Sequence, residues 1–168
     1  MPKVILGIDP GYATVGYGAV EYDGSRFKLL GYGAITTQPG KKFTERLAEI
    51  YRDLLTLIDH FEPDAIAIEE LFFSTNVKTG IAVGHARGVT LLACFHKGIE
   101  PAEYTPLQVK QSVVGYGKAE KKQVMEMTRL ILGLDKVPRP DDAADALAIA
   151  ICHAHSMAAG IHSERKGV

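Results

Sequence analysis

Four acidic residues of this chain have the type and spacing to hold divalent cations. Asp9 ends the apolar run Val4-Ile5-Leu6-Gly7-Ile8-Asp9 and is followed by Pro10-Gly11; Glu69 ends a second run, Ala65-Ile66-Ala67-Ile68-Glu69. Asp142 and Asp145 stand three apart in a stretch that reads as a helix. One carboxylate at the end of an apolar run is ordinarily a strand entering solvent, and an acid in a helix's first turn ordinarily serves the helix dipole. Three such sites at the water-facing ends of buried elements point instead to a shared acidic pocket. Mg²⁺ takes carboxylate oxygens in near-octahedral geometry and keeps several waters for its substrate. Two such ions about 3.5–4 Å apart can activate an attacking oxygen and stabilise a leaving one at a phosphodiester. In that scheme Asp9 bridges both ions, Glu69 holds one, and Asp142 and Asp145 serve the other from one helix face.

The elements that must position these residues follow from periodicity. Val4 to Asp9 is a mostly apolar strand, Gly16 to Tyr22 a second, and the Asp23-Gly24 turn leads to a third over Phe27 to Thr36. After Pro39-Gly40, apolar residues from Phe43 to Ile58 recur at the 3–4 spacing of an amphipathic helix. Ala65 to Ile68 reads as a short strand buried on both faces. A helix over Val77 to His96 carries Gly80, Gly84 and Gly88 at four-residue spacing. Glycine in a helix interior costs about 1 kcal/mol relative to alanine, so the stripe implies close approach to a neighbour, the sheet or a partner subunit. A weak strand at Ala102 to Tyr104 precedes Thr105-Pro106-Leu107-Gln108, a helix start with N-cap Thr, Pro at N1 and Gln at N3. Gly115-Tyr116-Gly117 breaks that helix, Ala119 to Leu132 forms another, and Asp141 is expected to cap a last one running to about Ala158. The fold class is mixed α/β, with residues 1–160 as a single domain and 161–168 as a flexible C-terminal tail.

Composition sets bounds on function. At 168 residues, 46% hydrophobic and 23% charged, the chain can bury a substantial core. It has no apolar run near the length of a membrane span and no secretory signal, so a cytoplasmic protein without a membrane association is expected. Cys94 and Cys152 sit in apolar helical patterns without zinc-type spacing and read as reduced core thiols. The net charge of -1 conceals an asymmetry: residues 71–130 carry eight Lys/Arg against four Asp/Glu. An acidic site beside a basic segment suits a polyanionic substrate that must also be held by metal. Lys78, Arg87, Lys110, Lys118, Lys121 and Lys122 are the candidates for holding it, and Phe72 and Phe73, directly after Glu69, could stack on opened bases. His153, about two turns beyond Asp145, could share its stripe but reads as a helix-end histidine.

Taken together, Gly7-Ile8-Asp9-Pro10-Gly11 with Gly16-Tyr17-Gly18, Ala67-Ile68-Glu69, Ala86-Arg87-Gly88-Val89, the run Gln108 to Gly115, Ala119-Glu120-Lys121 and the run Asp142 to Ala150 resemble the bacterial RuvC Holliday junction resolvases. The resemblance covers residues 3 to about 155. It implies an RNase H-like fold with a mixed central sheet (three antiparallel strands, then parallel ones) flanked by helices. It further implies a homodimer, Mg²⁺-dependent cleavage of four-way DNA junctions with Mn²⁺ as a substitute, and a branch-migration motor complex as partner. On the family pattern Asp9, Glu69, Asp142 and Asp145 are the acidic tetrad, Lys110 and Lys121 lie near the active site, and Phe72 matches the stacking aromatic. Glu70, one residue past Glu69, is expected to point to the other side of an extended chain. Other readings are a nuclease of the same fold acting on RNA–DNA hybrids, a sugar kinase or chaperone-type ATPase suggested by Ile8-Asp9-Pro10-Gly11, and a non-catalytic junction-binding protein. The first is disfavoured by the motifs from Gln108 to Lys121, the second by the lack of a second phosphate loop, the third by the complete tetrad.

Overall fold

The computed structural model describes residues 1–70 and 77–160. The tail expected at 161–168 lies outside these residues, as do Phe72 and Phe73. In chain order the elements are β1 (Lys3–Asp9), β2 (Thr14–Tyr22), β3 (Phe27–Thr36), α1 (Phe43–Phe61), β4 (Ala65–Glu69), α2 (Val77–His96), β5 (Ala102–Tyr104), α3 (Pro106–Val114), α4 (Lys121–Ile131) and α5 (Asp141–Ala158). They form one five-stranded sheet in the order β3-β2-β1-β4-β5. The first three strands are a meander of antiparallel pairs; β4 joins β1, and β5 joins β4, in parallel. Parallel neighbours need a crossover element, and α1 and α2 supply it.

Strand alternation assigns each side chain to a layer. Leu6 and Ile8 of β1 and Ile66 and Ile68 of β4 are buried with Ile50, Leu54 and Ile58 of α1 and Ala86, Ala93 and Cys94 of α2. Ile5 and Ala67 belong to the opposite layer, with α5 and the buried residues of α3 and α4. The same parity sends Asp9, Glu69 and the glycine floor of β1 and β2 toward α5. Gly7 pairs with Gly18 and Asp9 with Gly16. A Cβ on Gly7 would lie 1.9 Å from the Ala146 carbonyl oxygen, and one on Gly16 would lie 2.0 Å from that of Asp142. The bare floor therefore lets the backbone of α5 rest on the sheet. That helix is buried almost all round, from Ala143 to Ala154, which explains its run of alanines.

Caps set the ends of the helices beside the site. Thr105 and Gln108 form the expected capping box of α3, with Gln108 N–H donating to Thr105 Oγ1 at 3.1 Å and Thr105 N–H to Gln108 Oε1 at 2.8 Å. For α5 the expectation fails. Pro140 holds the N-cap position in an extended conformation, and Asp141 is the first helical residue, its carboxylate 2.8 Å from Arg139. The glycine stripe of α2 also needs correction as a single face. Gly80 is buried, Gly84 half-buried and Gly88 exposed, with nothing within 4 Å of a Cβ placed on Gly88. Four-residue steps turn about 40° around a helix each time, so the stripe rotates from the core into solvent.

If the close seating of α5 is what holds the sheet face, Gly7→Ala should destabilise the protein by about 1–3 kcal/mol or more through overpacking. Gly40→Ala, where a Cβ meets nothing within 4 Å, should be neutral. Urea unfolding of the two variants checks this; equal midpoints would contradict the close contact.

Candidate active site

The acidic residues converge where β1, β4 and α5 meet. The parallel register pairs Ile8 with Ile68, so Asp9 and Glu69, one residue further along each strand, leave the sheet side by side toward α5. Gly16, opposite Asp9, lies under the Asp142 backbone and brings the first turn of α5 against the end of β1. Carboxylate oxygens of Asp9, Asp142 and Asp145 lie within 4.8 Å of one another. Glu69 borders clefts on both sides of the site, one shared with Asp9 and the other with Asp145. All four side chains are half-buried.

This crowding shows in the electrostatics. Burial first, and then the charges of Glu69, Asp145 and Asp142, push the Asp9 pKa from its ordinary 3.8 up to about 8, with Lys121 pulling weakly the other way. Burial also raises Glu69, with Asp145 adding to the shift and Lys121 and Lys110 opposing it. For Asp145 burial again comes first, and its upward shift persists despite the nearby ammonium of Lys121. Oxygen donors that repel one another and lack enough cationic partners fit a hard divalent ion. Asp9, Asp142 and Asp145 are close enough together to share such an ion, and Glu69 lies beside them in the adjoining clefts.

The basic candidates divide. Lys110 and Lys121 both line the cleft that holds Glu69 and Asp145, a space of about 240 Å³. Lys121 Nζ lies 3.4 Å from Asp145 Oδ2 in a solvent-exposed pair. Burial works to lower its pKa, yet Asp145, Asp141 and Asp142 together raise it, so the ammonium stays charged. A pair this long and exposed contributes little to stability and leaves the ammonium free to turn to a phosphate. Arg87 is a different case. It borders the second cleft with Asp9 and Glu69, but its guanidinium is bound to Glu103 at 2.6 Å, and its buried Nε has no hydrogen-bond partner among the described residues. Its charge is committed to the sheet edge. Lys78, Lys118 and Lys122 are exposed on the surface.

One expectation is overturned. His153 is no helix-end residue. It is 4% exposed, and its Nδ1 lies 2.7 Å from the hydroxyl of Tyr104 on β5. No periodicity signal would have shown this. Glu70, just past the end of β4, borders the cleft with Asp9 and Glu69 that Val83 and Arg87 of α2 also line.

The raised Asp9 pKa fixes a sign. The folded protein holds this proton more tightly than the unfolded chain, so the cation-free fold loses stability as pH rises from 3.8 to about 8, with the loss complete above that. Without divalent cations, Asp9→Asn should therefore melt higher than the parent at about pH 8, by a margin that shrinks toward about pH 5. Mg²⁺ should stabilise the parent and not the variant. Thermal melts across pH check both points; a variant less stable than the parent at about pH 8 would contradict the repulsion.

Comparison with known proteins agrees with this geometry. The family described as crossover junction endodeoxyribonuclease RuvC matches residues 5–153. The protein of that name from Ruminiclostridium cellulolyticum is 57% identical over 164 residues, 96% of this chain and 99% of its own. Its counterpart from Alkaliphilus oremlandii is 60% identical over 153 residues, 91% of this chain and 93% of its own. The structure of T. thermophilus RuvC in complex with Holliday junction substrate superposes with a TM-score of 0.90 at 40% identity, covering 94% of this chain and 96% of that one. With this match in sequence, in the mixed five-stranded sheet of RNase H type and across nearly the full length, the chain belongs to the RuvC family of crossover junction endodeoxyribonucleases.

Proposed function

We propose that this chain resolves four-way DNA junctions in recombination and repair, by cation-dependent hydrolysis of one phosphodiester in each of two strands. The observation that carries the reading is the convergence of Asp9, Asp142 and Asp145 within 4.8 Å, with Glu69 beside them. The relatives of this chain bear the name of that activity, and one was solved with a Holliday junction.

Each residue has a part that its position supports. Asp9, between the strand-borne Glu69 and the helix-borne pair, would be the ligand shared by two Mg²⁺ ions. Glu69 would hold one, and Asp142 and Asp145 the other. Bound there, the ions would lower the cost of forming the attacking hydroxide and of releasing the alkoxide. Lys121 and Lys110 stand on the open side, where their ammonium groups can take the charge that builds on the phosphoryl oxygens in the transition state. Lys118, Lys122 and Lys78 supply longer-range attraction for the backbone, a salt-sensitive contribution. Phe72 and Phe73 would stack on bases opened at the crossover.

Among the described residues one chain offers one acidic site, whereas resolution needs two symmetric nicks. A two-fold dimer supplies two sites at fixed separation and mirrors the symmetry of the junction. The face that suits it is the outer side of α2. Ile81 and Leu92 are 55% and 47% exposed there and flank a groove that includes Gly84 and Gly88. On the same family resemblance, the branch-migration motor is the macromolecular partner.

One experiment tests these parts together. A synthetic mobile four-way junction is incubated with the protein, with and without Mg²⁺, and nicks are mapped on all four strands. The parent should make paired nicks in two strands of like polarity, with Mg²⁺ only. Asp9→Asn should bind the junction and lose cutting by a factor of at least about 100, as removal of a charge-stabilising group does. Gly88→Leu, which fills open space on the chain's own surface, should stay folded, sediment as a monomer and lose the pairing of nicks. Cutting by Asp9→Asn at near parental rates would overturn the site, and a dimeric Gly88→Leu with normal pairing would overturn the interface.

A further inference from the structure

The loop between α3 and α4 holds an aromatic ring that the acidic site leaves unused. Tyr116 is 47% exposed, yet its hydroxyl accepts a hydrogen bond of 2.7 Å from Gln123 Nε2. The other end of the same amide is also engaged: Gln123 Oε1 accepts from the Glu120 N–H at 2.8 Å and so caps α4. The loop is tied down on both sides. Gly115 ends α3 in the left-handed region at φ 102°, and Ala119, 2% exposed, enters the core. Between them Leu107 lies so close over Gly117 that a Cβ there would be 2.2 Å from Leu107 Cδ1. Leu107 is itself 54% exposed. The result is a rigid apolar ridge in open solvent, at the start of the helix whose first residue, Lys121, faces Asp145.

Single exposed apolar residues are commonplace; a ring fixed at its hydroxyl is less so. With the hydroxyl engaged by Gln123, what this exposed side chain has left to offer a ligand is its aromatic ring. Lys118, Lys121 and Lys122 follow within two turns of chain, and Lys110 stands on α3. Lysines attract phosphates, and an aromatic face accepts any base, because stacking tolerates sequence. Holding the ring in place beforehand removes the entropy that binding would otherwise cost.

We propose that Tyr116 stacks on a base unpaired at the branch point, beside the strand being cut, and that Gln123 is its positioning residue. The inference rests on the reading of the chain as a junction resolvase and adds a contact to it. Bases of an intact duplex are enclosed in the stack, so the ring can engage only where the helix opens. Tyr116 would thus favour junctions over linear DNA, whereas the lysines attract both. Because Gln123 both caps α4 and holds the ring, base contact and the placement of Lys121 belong to one unit.

The test compares binding of the full chain to a synthetic four-way junction and to a linear duplex of equal length, at equal salt and without divalent cations. The junction carries a single 2-aminopurine beside the crossover. Tyr116→Ala should weaken junction binding about tenfold, in the range measured for loss of one base–aromatic stack, and leave duplex binding and the salt dependence unchanged. Tyr116→Leu should behave like Ala, since bulk without a π face is not enough, while Tyr116→Phe should keep most of the affinity. The parent should quench 2-aminopurine fluorescence on binding, and the Ala variant should not. Circular dichroism establishes that each variant is folded. Parental junction affinity in Tyr116→Ala, or an equal loss on junction and duplex, would overturn the proposal. A parent chain that binds and cuts no junction would instead overturn the resolvase reading, so the two failures are distinguishable.

Discussion

Like charges held a few ångströms apart in a half-buried cleft either separate, take up protons or acquire a cation. Here separation is blocked. Asp9 and Glu69 are fixed by two paired strands, and Asp142 and Asp145 by a helix whose backbone rests on glycines of the sheet. The remaining options are protonation, toward which burial and the neighbouring carboxylates push Asp9, and a divalent ion. The rest of the molecule can be understood as the support for this tension. The bare floor of β1 and β2 lets α5 approach, the alanine-rich α5 is gripped by α3 and α4, and the core on the far side of the sheet is anchored by α1.

Much of this was legible in the amino-acid sequence, for specific reasons. Pattern bounds the ten residues of β3, and the periodicity of α1 runs from Phe43 to Ile58, one turn short of its end at Phe61. The Thr105–Gln108 box declared itself by residue type. The four carboxylates were visible because each ends or begins a buried element, where side-chain direction is set by parity. What stayed hidden depended on contacts between distant segments. Arg87 reads as a free basic group until Glu103 of β5 is beside it; His153 reads as a terminal residue until Tyr104 covers it. The stripe of Gly80, Gly84 and Gly88 looks like one face in a line of text and turns through two environments on a real helix. Asp141 resembles a cap, but the preceding proline occupies that position.

The basic side is organised more loosely than the acidic one, and this follows from its task. A carboxylate cage for hard cations requires fixed distances. Lysines that attract a polyanion do so over about a Debye length and tolerate motion. Lys121 connects the two regimes. It makes a long, exposed pair with Asp145 and stands at the first position of a helix capped by Gln123. Among the described residues no helix is long and apolar enough to cross a membrane; the exposed apolar groups include Ile81 and Leu92 on the outer side of α2 and Leu107 and Tyr116 near the site.

The central claim is that Asp9 carries a proton which a cation must displace. Proton release on Mg²⁺ addition measures that directly, in weakly buffered solution with a pH indicator. Near neutral pH, saturating Mg²⁺ should release on the order of one proton per chain, falling toward zero well above the Asp9 pKa of about 8 and absent in Asp9→Asn. Tight binding of Mg²⁺ with no proton release near neutrality, or the same release from Asp9→Asn, would contradict the account.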